Sequence, residues 1–295
     1  MNMASVSRTC PGVPELLRHF EVERMCLYSS SNFRAQGNNM TSFFRAAMAA
    51  ITIATPVQAA SPVEIDDLVL ALGLPEVIEI MRMEGLQTAD MLAESMIGGS
   101  SAQWQSMVDD IYEEARLEAI VIKGMTQALE PHDVGPITAF FNSDLGERII
   151  ALELSAREAF MDADIEAASN EVAEAMPGKN PVRYGLLQDF IETNGLLEAN
   201  VIGALNSNLA FFTGMAEAGA LDDSMTEDTM LQEVWSQEPE IREDTALWLT
   251  SYLGLAYQPL SDEELQLYID FSGTEHGQVL NRALFEGFDE MFNHI

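Results

Sequence analysis

The sequence predicts an all-α protein, a helical bundle built from two tandem helical repeats, and three observations carry that expectation. Apolar residues recur at helical spacing through most of the chain after residue 60. Ala, Leu, Glu and Met are common, Val, Ile and Thr are thinly spread, and no stretch alternates apolar and polar residues as a half-buried strand does. One segment also lines up with a later one at a single offset of 131 residues.

The N-terminal sixty residues fall into two parts. From Met40 the chain reads Met-Thr-Ser-Phe-Phe-Arg, then the uncharged stretch Ala46–Thr55, Pro56 and Val57-Gln58-Ala59. A short basic start, about ten apolar residues and small residues at the −3 and −1 positions of a cut after Ala59 are the three parts of a secretory signal. Ten apolar residues are too few for a bilayer core, which takes roughly 20. A signal of this kind acts at an N-terminus. Residues 1–39, which differ in composition and lack periodicity, are therefore read as a non-native upstream extension, with Met40 as the start and 40–59 as the signal peptide.

The chain of 295 residues is 47% hydrophobic, enough for a substantial core, and carries a formal charge of −34. The first 59 residues hold five arginines and three glutamates, which leaves 9 basic and 45 acidic residues beyond them, net −36. Such a surface repels phosphate backbones, so no nucleic acid is expected as a partner. The only cysteines are Cys10 and Cys26. A chain free of thiols after residue 59 suits an oxidising periplasm and excludes cysteine-based zinc sites there.

Along the remainder, Pro62 opens a helix carrying Val63, Ile65, Leu68, Val69 and Leu72, and Gly73 ends it. A second helix starts at Pro75 and closes at Gly85; a third covers 87–97 and stops at Gly98-Gly99. One long amphipathic segment is expected over 102–129 and another over 144–175. Residues 176–181, Met-Pro-Gly-Lys-Asn-Pro, form the clearest break, with Asn180 as N-cap and Pro181 in the first turn of a long helix that carries Leu186 through Phe212. The units divide there, into 60–178 and 179–295.

In the internal match, residues 129–146 pair with 260–277. Phe140 meets Phe271, Ser143 meets Thr274 and Gly146 meets Gly277, and Trp104 meets Trp235 at the same offset. The unit has a physical logic. A short helix ends in an aromatic residue, and Ser or Thr then caps a longer helix. A glycine in that helix's first turn lets the preceding helix come close. In the second copy Ser261 and Glu264 form a capping box. Anion binding at these helix starts is disfavoured by Asp144, Glu147 and Glu275, which already supply negative charge to the dipole.

The pattern Leu260-Ser261-Asp262-Glu263-Glu264-Leu265, then Phe271, then Thr274-Glu275-His276-Gly277 resembles the C-terminal signature of the bacterial family known as domain of unknown function 2059. Leu74-Pro-Glu-Val-Ile-Glu-Ile-Met-Arg-Met-Glu-Gly85 is similar to that family's N-terminal part. The resemblance covers most of residues 64–290. It implies an exported helical protein and supplies no catalytic residue. Phe271-Ser272 stands where the family has a Phe-Tyr pair, which implies looser packing at that point.

Candidate chemistry is sparse. Asp222, Ser224, Thr226, Asp228 and Glu233 have EF-hand spacing, yet the turn position holds Glu227 where glycine is needed, and the favoured reading makes Thr226 a helix cap. The acids Asp109, Asp110, Glu113, Glu114 and Glu118 read as a solvated helix face. No phosphate loop, nucleophile elbow or zinc-protease motif occurs. His132 and His276 read as surface residues. No catalytic residue, metal ligand or cofactor site is therefore assigned. The first functional expectation is a non-enzymatic periplasmic protein that binds a protein partner in the cell envelope, with no membrane span in the mature chain. Its methionines, among them Met81, Met83, Met107 and Met230, suggest a soft, adaptable interior or groove for a partner helix or an acyl chain, with core packing the favoured reading. The alternatives are a small-molecule or lipid carrier with a pocket between the two units, and a hydrolase using His132 or His276 with carboxylates.

Overall fold

The computed structural model describes residues 62–221 and 225–295. The proposed upstream extension, the signal segment with Ala59, and Asp222 and Ser224 of the EF-hand spacing lie outside the described residues. The fold is all-α, with no strand among the described residues. Its helices are α1 Pro62–Ala71, α2 Leu74–Ile97, α3 Ala102–Ile111, α4 Glu114–Leu129, α5 Gly135–Phe141, α6 Asp144–Ala159 and α7 Ala163–Lys179. They continue as α8 Pro181–Thr193, α9 Leu196–Glu217, α10 Glu227–Ser236, α11 Glu238–Ala256, α12 Asp262–Ser272 and α13 Glu275–His294.

Several boundaries differ from the sequence reading, each for a local reason. Gly85 does not end a helix; it lies inside α2, where a Cβ would overlap the Tyr112 ring. That glycine serves close approach rather than termination, and the helix expected over 87–97 is the second half of α2. The segment 102–129 is two helices, because Glu113 leaves the helical region and its carboxylate accepts from the Ala115 and Arg116 N–H groups. The segment 144–175 is likewise divided, by Asp162, which caps α7 through the Asp164 N–H. Pro177 and Gly178 do not break the chain; α7 runs through them to Lys179. The break falls at Asn180, which caps α8 through the Arg183 N–H as expected. The long helix after Pro181 stops at Gly195, which adopts φ 62°, a left-handed conformation open to glycine at little cost. Gly73, Gly98 and Gly99 are the stops the sequence marks, all at positive φ.

Burial follows the expected faces. Ile65, Leu68, Val69 and Leu72 of the first helical stretch are buried, while Val63 is exposed. The core is shared between the two halves of the chain. One cluster joins α1, α2, α4 and α5 to Val279, Leu280, Ala283, Phe288 and Met291 of α13. A second joins α6, α7, α8, α11 and α12, and a third packs α9 against α10 with Ile241 of α11. The most extensive helix contact is α4 against α13, where Gly124 and Gly287 face each other. A Cβ at Gly124 would stand 2.8 Å from the Gly287 Cα, so the crossing depends on both glycines.

Candidate functional site

The two corners singled out in the sequence have the same local structure. Ser143 caps α6, its Oγ accepting from the Gly146 N–H at 3.2 Å and donating to the Phe140 carbonyl at 2.6 Å. Thr274 caps α13, accepting from the Gly277 N–H at 3.1 Å and donating to the Phe271 carbonyl at 2.6 Å. A Cβ at Gly146 would overlap the Phe140 carbonyl, and one at Gly277 the Phe271 carbonyl. Each glycine thus lets a short helix fold back on the start of a long one. Ser261 and Glu264 form a capping box on α12, and Glu264 also receives Arg148 of α6 at 2.7 Å. The two tryptophans differ: Trp104 is half-buried and Trp235 is exposed.

The candidates for chemistry resolve into structural roles. Thr226 caps α10 through the Thr229 N–H, which places Glu227 and Asp228 in a helix's first turn. Of the acids on α3 and α4, Asp110 pairs with Arg116 at 3.0 Å and Glu113 is a cap. No group of three or more metal-ligating side chains occurs among the described residues. His132 and His276 are half-buried rather than on open surface, and neither lines the cavity described next.

That cavity, about 110 Å³ in volume, lies between the N-terminal and C-terminal halves of the chain. Leu72, Leu74 and Val77 form one wall with Ile150 and Leu154 of α6. Facing them are Phe190, Leu196, Tyr252, Leu253 and Tyr257, and α12 and α13 close the remaining side with Tyr268, Phe271, Leu280 and Leu284. Polar groups are few. Glu153 of α6 is half-buried at the cavity wall, and Tyr257 donates to its carboxylate at 2.6 Å. Tyr268 also bonds that carboxylate, and Tyr252 donates to the Glu153 backbone carbonyl at 3.0 Å. Burial pushes the Glu153 carboxyl up to about 7, with the hydrogen bonds from Tyr257 and Tyr268 opposing the rise. The same burial, together with the neighbouring carboxylate, moves the Tyr257 phenol well above its ordinary range. One turn along α6, Arg157 binds Glu84 of α2 through Nε at 3.1 Å and Nη2 at 2.7 Å, a bidentate pair between two poorly exposed groups.

Sequence reasoning misses Glu153, because it sits among ordinary acids on an amphipathic helix. Its one local signal is the apolar surround Ile149, Ile150, Leu152 and Leu154. A carboxylate in a small cavity lined by aromatic rings and crossed by phenol hydroxyls can hold or release a proton near neutral pH. It can also receive a hydrogen-bond donor.

No curated protein and no solved structure matches the chain. Residues 115–175, which run from α4 into α7 and contain Phe140, Ser143, Gly146 and Glu153, match the family model described as "Uncharacterized protein conserved in bacteria (DUF2059)", the family that the motifs at 74–85 and 260–277, outside that stretch, resemble.

Proposed function

We propose that this is an exported bacterial protein that binds a small, largely apolar molecule in the cavity between its two halves, and that the halves are copies of one helical unit. The cavity carries the binding reading. It is concave and mostly apolar, with a few convergent polar groups and a carboxyl of displaced acidity, the usual make-up of a small-molecule site. Its volume is comparable to that of an engineered apolar cavity that accepts benzene, about 150 Å³. This reading is preferred to a dedicated protein-binding surface. The exposed large apolar side chains, such as Leu70, Ile97, Met107, Val172, Trp235 and Leu267, are spread over many helices.

A substitution that fills the cavity tests the binding reading. Leu284 is half-buried in its wall, and in Leu284→Trp the indole occupies the space. Small amphiphiles screened by native mass spectrometry and thermal shift should give at least one ligand for the wild type and none for the variant. A wild type that takes up nothing from such a panel would sink the reading.

Export rests on the pattern from Met40 to Ala59, and a role in binding rather than catalysis rests on the absence of a recognised catalytic motif. Among the described residues no helix is long and apolar enough to cross a membrane. The protein recovered from the periplasmic fraction should begin at Ala60. Unprocessed protein confined to the cytoplasm, or peptides from residues 1–39, would count against this.

Duplication is supported by the order of helix contacts. α1 touches α2, α4 and α5 as α8 touches α9, α11 and α12. α2 touches α3 and α4 as α9 touches α10 and α11, and α5 touches α6 as α12 touches α13. Between the halves, α4 lies on α13 and α11 on α6, a reciprocal exchange, with α7 as the connection. An experimental structure in which α1–α6 and α8–α13 fail to superpose would refute it.

A further inference from the structure

We infer that the cavity takes a small organic cation, an alkyl- or arylammonium ion whose nitrogen sits at the Glu153 carboxylate and whose apolar body lies among the aromatic rings. This rests on the binding reading above and adds the charge and class of the ligand.

Two features of the lining favour a cation. Seven of the 22 lining residues are aromatic, and ring faces attract ammonium groups while also covering an apolar stem. The only charged side chains in the lining are Glu153 and Arg157, and Arg157 grips Glu84 with two nitrogens. The partners of Glu153 are phenols, so the cavity meets its carboxylate with no basic side chain. An ammonium ligand complements the Glu153 carboxylate and the aromatic faces. The surrounding charge of −34 acts in the same sense by attracting cations from solution.

In the free protein a proton on Glu153 performs the service the ammonium would perform, since burial makes the bare carboxylate costly. The titratable and charged groups facing Glu153 are Tyr252 and Tyr257 from α11 and its C-terminal cap, Tyr268 from α12, and Arg157 on its own helix, tied to Glu84 of α2. The Tyr257 phenol, held well above its ordinary range, stays protonated at neutral pH. Below pH 7, therefore, ammonium binding displaces the Glu153 proton.

The test is a matched four-carbon series, n-butylammonium, 1-butanol and butyrate, titrated into the full chain. Trp248, which stacks on Tyr252 with centroids 5.2 Å apart, is a fluorescent reporter at the cavity's edge. At pH 8 n-butylammonium should bind at least about tenfold more tightly than 1-butanol, and butyrate should not bind. Between pH 8 and pH 6 the ammonium affinity should fall about tenfold, as expected for competition with a proton at a group of pKa about 7. Glu153→Gln should erase both the preference and the pH dependence. If that variant does not fold, calorimetry of the wild type at pH 6 in buffers of different ionisation enthalpy should register release of close to one proton per ammonium bound. Equal or tighter binding of 1-butanol or butyrate, or ammonium binding without proton release, overturns the cationic ligand and leaves the binding reading standing. No binding by any of the three, together with an empty small-molecule screen, removes both.

Discussion

Phe140 and Phe271 stack face to face, with ring centroids 3.8 Å apart and planes within 6° of parallel, although 131 residues separate them in the chain. Each ends a short helix, and each carbonyl accepts from the hydroxyl that caps the following long helix. The stack thus pins the two corners to one another beside the cavity that Phe271 helps to line. Single replacements, Phe140→Ala and Phe271→Ala, should each destabilise the protein. In a double-mutant cycle measured by urea unfolding, their coupling should be about 0.5–1.5 kcal/mol, the range for aromatic pairs beyond area burial. A coupling indistinguishable from zero would mean that the rings share a place without supporting each other.

The α4–α13 crossing makes a second prediction with two signs. Alanine is the better helix former by about 1 kcal/mol, so a helical glycine with free space around it is improved by a methyl. Gly214 of α9 is exposed, and a methyl added there would have nothing within 4 Å, so Gly214→Ala should stabilise by roughly 0.5–1 kcal/mol. At Gly124 the same methyl meets the backbone of Gly287 at 2.8 Å, and backbone does not yield as a side-chain tip does. Overpacking of this kind costs about 1–3 kcal/mol and outweighs the propensity gain, so Gly124→Ala should lower the unfolding midpoint. The pair of variants, measured side by side by calorimetry, separates packing from propensity.

These glycines also mark how far the sequence can be read. Helical class, the caps at Asn180, Ser143 and Thr274, and the stops at Gly73 and Gly98 depend on neighbours within four residues, and are legible. Gly85 looks like a stop because its role is to admit Tyr112, which arrives from 27 positions later. Glu113 and Asp162 split helices that look continuous because an acid is equally at home on a helix face and at a cap; only the backbone decides. A pocket between the two proposed units is one expectation from the sequence, but the lining of the cavity draws on residues from Leu72 to Phe288, and no local pattern singles out Glu153.

The Arg157–Glu84 pair ties α6 to α2 beside the cavity, with the Arg157 side chain 7% exposed. Water screens such a pair poorly, and removal of one partner strands the other's charge in protein. Glu84→Gln should therefore destabilise by about 3–5 kcal/mol, and added salt should change that loss little. The double replacement Glu84→Gln, Arg157→Met should lose less than the sum of the two single losses, since no charge is then stranded. Chemical unfolding of the four proteins at low and high ionic strength checks both points. Additive losses would show that the pair is not a unit.

Glu153 gives stability a pH dependence of definite sign. Its carboxyl lies at about 7 in the folded chain against 4.5 for the ordinary group, so between those values the folded state holds a proton that the unfolded state has released. Its contribution is thus fully present below about pH 4.5 and is lost as pH rises through about 7. A shift from 4.5 to about 7 corresponds to roughly 3 kcal/mol at about 1.4 kcal/mol per unit. Glu198 and Glu264 act in the opposite sense, held low by Arg242 and by the Ser261 N–H respectively, so the raw stability curve mixes both signs. The difference between the wild type and Glu153→Gln isolates this carboxyl. The amide cannot titrate, so the variant should gain on the wild type by up to that amount from about pH 4.5 to about pH 7.5, and no further above it. A difference that stays flat over this interval, measured by denaturant unfolding at closely spaced pH values, would show that Glu153 titrates as a solvated acid.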